Sequence, residues 1–500
     1  MSITINFALL FCFALWVLQV VIRGLTGPLR KIPGPWYARF TNLPLKWATI
    51  KGRRIYFIEA LHRRYGDIVI IAPSEVDCSD PQMFKEIHRH GNGFHKAQWY
   101  KKFSGYTDVD KNHSIFTMAD PKNHAARRKL LARAFTKTEI RKHWEKEIRQ
   151  KVSLAVERMN DDATTHPDGE VNVQKWWILM AADVSSRITF GESFNMLETG
   201  EKNDYIKAVE SIARAGGIIA EIPIFKLLRY LPIPQVRNLL KTQATVIEFA
   251  TTTVANSRKK GTTGAGNIFT GVLAEAEKSG SHLSDVVLGR DARALIVAGS
   301  DTTAITLTFL VWCVLSRPQL HRDLLAELHD ARKQGSSADH KEFDFSDEQL
   351  ERLPLLTAVI QESLRLYGAA PGSLPRQVPP GGTTVGGFYI PDSAVVSTQA
   401  WSLHRNPSVW NNPEEFDASR WLPGAEMSEA AKMAFKPFGG GSRVCLGLHI
   451  AEMELRYASA MFFWRYSKAR LAPGTTEASM VPVYFFIINP KMHQCRVVLE

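Results

Sequence analysis

Phe438-Gly-Gly-Gly-Ser-Arg-Val-Cys-Leu-Gly447 lies near the end of a 500-residue chain, and a helical run begins directly after it at Leu448. With no side chains at Gly439, Gly440, Gly441 and Gly447, backbone N–H groups can crowd the sulfur of Cys445 and temper the charge of a thiolate. A sulfur ligand to haem iron needs that tempering. A plain glycine-rich turn, a phosphate loop and a cysteine nucleophile served by His449 compete with this reading. A phosphate loop calls for Gly-Lys-Ser/Thr at the helix start, and a thiol hydrolase calls for a His and Asn constellation that cannot be placed in this sequence.

Working outward, Asp285 to Ser316 has the pattern of one long helix ending before Pro318, roughly 48 Å at 1.5 Å per residue. Inside it sits Ala298-Gly-Ser-Asp-Thr-Thr303, where Gly299 costs about 1 kcal/mol in a helix interior. A small residue there leaves room for dioxygen against the helix, and the Asp301 acid beside the Thr302 alcohol makes a short proton relay. A kinked packing helix with a solvent-facing aspartate is the plainer alternative for this hexapeptide standing alone. Two further pieces flank it in sequence. Glu362-Ser-Leu-Arg365 places a carboxylate and a guanidinium on one helix face, and Arg420 follows in Pro413-Glu-Glu-Phe-Asp-Ala-Ser-Arg-Trp421.

Taken together, FGGGSRVCLG resembles the FxxGxRxCxG haem signature of the cytochromes P450, and AGSDTT resembles that family's oxygen-activation motif. Glu362, Arg365 and Arg420 are similar to its Glu-Arg-Arg core triad, with Ala418 where a proline is usual. The resemblance extends over residues 31 to 500 and implies a mainly α haem-thiolate fold with a small β region. It implies Cys445 as the iron ligand, Phe438, Gly439 and Gly447 as its surroundings, and Asp301 and Thr302 as the catalytic pair. It also implies that Arg443, Arg128 in His124-Ala-Ala-Arg-Arg128, and Arg376 in Leu374-Pro-Arg376 hold the propionates of haem b. His124 stands where the family usually has tryptophan. Arg127, Lys129, Arg133 and Lys137 share the same basic helix, which in the family faces an electron donor.

At the other end, Ile5 to Ile22 runs without charge for about 18 residues, roughly 27 Å of helix, close to a bilayer core. No basic residue precedes it, no small-residue cleavage site is evident, and Arg23, Arg30 and Lys31 follow. Residues 1–30 are therefore expected to be an uncleaved single-pass anchor and basic flank, with residues 31–500 a catalytic domain on the cytosolic side of the endoplasmic reticulum. The five scattered cysteines, never paired as CxxC, suggest neither a disulfide framework nor structural zinc and fit a reducing compartment. The net charge of +12 suits an anionic membrane or acidic partner as well as it suits a plain solvated surface, and no nucleic-acid motif appears.

With no GxGxxG after a strand and no flavin-domain length, electrons are expected from a separate NADPH-cytochrome P450 reductase, with cytochrome b5 as a possible second donor. The resemblance thus implies a monooxygenase using NADPH and O2 on a lipophilic small molecule, in the manner of microsomal fungal natural-product enzymes. A reductase-independent haem isomerase or dehydratase, and a non-catalytic haem protein, are the alternatives. Five regional expectations remain. Asp67-Ile-Val-Ile-Ile71 and residues 374 to 400 should hold strands, 347 to 367 one helix, and the last thirty residues, including Val483 to Ile488, strands; the apolar, proline-broken stretch 215 to 240 suits a substrate-entry lid or ordinary buried packing equally.

Overall fold

The computed structural model describes residues 2–103, 113–222, 267–278, 283–333 and 343–499, with short stretches between 227 and 252. The elements that position the site are helices α1 (Ser2–Thr26), α2 (Leu43–Ile50), α3 (Pro121–Ala132), α4 (Lys137–Thr165), α5 (Val173–Phe190), α6 (Asp204–Glu221), α7 (Asp285–Leu315), α8 (Pro354–Tyr367) and α9 (Leu448–Arg465). Strands are β1 (Ile68–Ala72), β2 (Glu75–Cys78), β3 (His95–Lys96), β4 (Arg376–Gln377), β5 (Val395–Thr398), β6 (Pro482–Tyr484) and β7 (Ile488–Pro490). Of the proline-broken stretch 215–240, residues 215–221 are the end of α6, and 223–226, 228–229, 235–236 and 238–240 lie outside the described residues.

Helix α7 is the axis of the molecule. Ser284 caps its start, its hydroxyl accepting from the Val287 N–H at 3.4 Å, and from Ala304 to Val314 almost every side chain is buried, whichever way it points. A helix apolar all round must be enclosed by others, and α7 packs against α5, α8 and α9. Its approach to α5 explains Gly299: a Cβ there would stand 2.3 Å from Ser185 Oγ. The expected reason, space for dioxygen, is therefore not what demands this glycine; the helix crossing is. Gly299→Ala is expected to cost about 1–3 kcal/mol through overpacking, and Ser185→Ala in the same chain should restore most of it, measured as the thermal midpoint.

The small β region is a five-stranded sheet in the order β1-β2-β5-β4-β3. Strand β1 is buried along its whole length, which is why Ile-Val-Ile-Ile-Ala is continuously apolar rather than alternating. β2 pairs parallel to β5, and the edge is built by β4 and the two-residue β3, whose register sets Lys96 opposite Arg376. One expectation is corrected. The segment 347–367 is not one helix but two, Asp347–Glu351 and α8, because Pro354 can only begin a helix. The strands expected around Val483 to Ile488 are present as the hairpin of β6 and β7, whose turn puts Phe486 at φ 90°.

Candidate active site

The glycine-rich loop folds back on itself, the Cys445 N–H donating to the Phe438 carbonyl at 2.9 Å. Gly439 and Gly441 take φ of 71° and 63°, and at Gly441 a Cβ would also stand 1.8 Å from the His88 carbonyl oxygen. The loop thus has glycine for two reasons at once, left-handed backbone and close approach. Gly447 has open space where a side chain would stand. Burial pushes the Cys445 thiol pKa up, while the Gly447 N–H and the Arg128 guanidinium pull it down, both favouring a thiolate. Beneath the loop, buried His404 is a rigid post. Its Nδ1–H donates to the Arg365 carbonyl at 2.7 Å and its Nε2 accepts the Lys436 N–H at 2.8 Å, which fixes the tautomer. Burial first, then the neighbouring arginines, lower its pKa to about 3.

On one side of this loop the fold gathers positive charge. Buried His124 has its pKa lowered to about 3 by burial and by Arg443, Lys96, Arg128 and Arg376 around it. Arg376 donates to Tyr100 Oη at 3.2 Å. Arg443 donates to the Met118 and Ala119 carbonyls at 2.6 and 2.9 Å, so part of its fork is committed to the backbone rather than to a ligand. Lys96 was not anticipated. Its Nζ lies over the Tyr100 and Phe116 rings at 4.3 and 4.4 Å, and burial, then Arg376 and Arg443, depress its pKa well below the usual value. Like charges directly opposite in a sheet repel, and burial raises the cost. A dicarboxylate is the group whose charge and shape suit this set, and the two propionates of haem b fit it.

The acid and alcohol expected to form the catalytic pair are both on α7. Thr302 and Asp301 are both half-buried, and the Thr302 hydroxyl donates to the Ala298 carbonyl at 2.6 Å. The hydroxyl oxygen still has lone pairs free to accept a proton donor. The basic helix divides differently from expectation. Lys129 and Arg133 are exposed, and Lys137 pairs with Glu351. Arg127 instead turns inward to Asp291 on α7 at 2.6 Å, so it ties α3 to α7 and does not face a partner.

The Glu-Arg-Arg triad is assembled. Arg365 makes two bonds to Glu362, at 2.8 and 2.7 Å, and donates to the carbonyls of His404, Pro413 and Glu415. Arg420 Nε stands 3.4 Å from Glu362 Oε1. Trp421 Nε1 and the Asp417 N–H also donate to Glu362, so Ala418 in the usual proline position does not disturb the cluster.

Comparison with known proteins matches residues 33–491 to the family model described as Cytochrome P450. The chain belongs to the cytochrome P450 family. It is 44% identical to cytochrome P450 monooxygenase aflV of Aspergillus parasiticus, over 97% of this chain and 94% of that one. It is 42% identical to cytochrome P450 monooxygenase stcB of Emericella nidulans, over 97% and 91%. Methylphloroacetophenone oxidase of Cladonia uncialis is 31% identical over 78% of this chain and 84% of its own. A solved cytochrome P450 haem domain, P450DA, shares the fold with TM-score 0.70 at 19% identity, covering 89% of this chain and 92% of that one. This P450 is a monooxygenase, an oxidoreductase, and its family implies haem-thiolate iron.

Proposed function

We propose that this P450 uses NADPH, O2 and a separate cytochrome P450 reductase to insert oxygen into a lipophilic natural-product intermediate at the endoplasmic reticulum. The observation that carries the reading is a glycine-shaped loop that presents Cys445, its N–H bonded to the Phe438 carbonyl, in the same chain as an acid and an alcohol, Asp301 and Thr302, on α7. Arg128, Arg376, His124 and Lys96, with what remains of Arg443, hold the haem through its propionates. When bound, the haem supplies two-electron activation of dioxygen. Thr302 Oγ1 then holds the proton that cleavage needs, and Asp301 replenishes it. An intact acid and alcohol favour this over a reductase-independent isomerase, which has no use for delivered protons, and over a haem carrier.

The substrate we propose is aromatic. Trp99, Tyr100, Phe116 and Phe486 form a wall of rings, with Trp99 and Phe486 centroids 5.9 Å apart and tilted by 30°, running from Lys96 to α6, where Glu221 accepts from Trp99 Nε1 at 3.1 Å. Flat apolar faces suit a flat guest, and one relative is named for oxidising an acetophenone. Residues 1–30 act as anchor and 31–500 as catalytic domain on the cytosolic side. In support, the apolar window Ile5–Thr26 is unburied, and Trp36 with Leu43, Trp47 and Ile50 of α2 exposes further apolar surface near it.

The test is reconstitution of the full chain in lipid with a cytochrome P450 reductase. NADPH and oxygen consumption should both depend on the reductase, and Thr302→Ala should divert nearly all of the NADPH to hydrogen peroxide. Turnover of substrate without NADPH would favour the isomerase, and an unchanged peroxide yield in Thr302→Ala would remove the proton role assigned to that hydroxyl.

A further inference from the structure

We propose that Glu454 is a positioning residue for oxygen activation, holding α7 in register with α9 through Thr303; this rests on the monooxygenase reading above. Glu454 is 1% exposed on the helix that follows the thiolate loop. Its Oε2 accepts from Thr303 Oγ1 at 2.9 Å, and its Oε1 has no hydrogen-bond partner among the described residues. Among the described residues no cation pairs with it, and burial raises its pKa to about 8, which favours the protonated acid at neutral pH. A leucine in that place would avoid the cost of burying a half-satisfied carboxyl.

What the carboxyl does is visible in the hydroxyls of α7. Ser300, Thr302, Thr306 and Thr308 each donate to the carbonyl four residues back, at 2.7, 2.6, 3.0 and 2.7 Å. Thr303 departs from that pattern and reaches across to α9. Because Thr303 is the residue after Thr302, a bond fixing its side chain also fixes the rotation of the turn that presents Asp301 and Thr302. The same turn is pinned on another face by Gly299 against Ser185. The thiolate loop leads directly into α9, so the Glu454 contact sets the oxygen-side helix relative to the sulfur side. Without it, Thr303 is free to back-bond to Gly299 as its neighbours do, and Thr302 loses its fixed place.

The experiment compares Glu454→Leu, Glu454→Gln, Thr303→Val and the Leu/Val double variant in the reconstituted full-length enzyme. It reads peroxide released per NADPH, beside the thermal midpoint and the carbon monoxide spectrum of the reduced protein. Glu454→Leu and Thr303→Val should each raise peroxide per NADPH about fivefold, the change that one hydrogen bond of about 1 kcal/mol corresponds to. The carbon monoxide spectrum should stay that of the parent. Glu454→Gln keeps an acceptor for Thr303 and should behave as the parent, and the double variant should be no worse than either single, since both remove one contact. Should Glu454→Leu not fold, Thr303→Val, which preserves shape, carries the test. A parent-like peroxide ratio in Thr303→Val, or additive effects in the double variant, overturns the proposal while leaving the monooxygenase intact. Absence of reductase-dependent NADPH use in the parent chain overturns both together.

Discussion

Cys445→Ala is expected to abolish the red-shifted Soret band of the reduced carbon monoxide complex and all NADPH-dependent oxidation. The sulfur sits in a loop whose backbone is shaped for it. The Phe438 carbonyl takes the Cys445 N–H, the Gly447 N–H points to the sulfur, and Gly441 lets the loop lie against His88. Alanine keeps all of that geometry and removes only the ligand, so the variant should fold. Difference spectroscopy of the purified variant decides the matter: a retained red-shifted band would mean that another residue ligates the iron.

Glu362→Ala is expected to prevent the chain from accumulating as folded protein. Both partners of the Glu362–Arg365 pair have fully buried side chains, and leaving one charge unpaired in such a place costs about 3–5 kcal/mol. The Asp417 N–H and Trp421 Nε1 lose their acceptor at the same time, each adding about 1–3 kcal/mol. Against a total stability of about 5–15 kcal/mol, the sum leaves little. Glu362→Gln keeps the shape and loses the charge, so it should be nearly as damaging. Soluble yield and thermal midpoint read both, and a midpoint within a few degrees of the parent would refute the role given to this pair.

The motifs were legible where local backbone demands and chemistry coincide. The loop at Cys445 needs glycine at particular positions, and α7 needs a cap, an apolar surface and small residues at a crossing, so both are written in short windows. The residues that were missed have no such window. Lys96 sits in His-Lys-Ala-Gln-Trp with no periodicity, and only the pairing of β3 with β4, far away in sequence, brings it to Arg376. Glu454 lies in Ala-Glu-Met-Glu-Leu-Arg, where carboxylates on a helix ordinarily face water; only the packing of α9 on α7 buries it. Arg127 was misread for the complementary reason: a run of basic residues looks like a surface, yet Asp291 draws one of them inside. The hairpin at Phe485 and Phe486 was hidden because an unbroken apolar run carries no turn residue.

His404 has a consequence for where such a protein can survive. Its ring stays uncharged down to pH about 3 in the native chain, whereas an unfolded histidine takes up a proton near pH about 6.5. Between those values the unfolded chain binds the extra proton, so stability falls steadily as the medium turns acid and is flat above neutrality. His88, also forced neutral by burial, adds in the same direction; His62, whose burial is outweighed by its bond to Asp77, works the other way. The post under the sulfur loop is thus built for near-neutral surroundings, and acidification would loosen the seat of Cys445 from below.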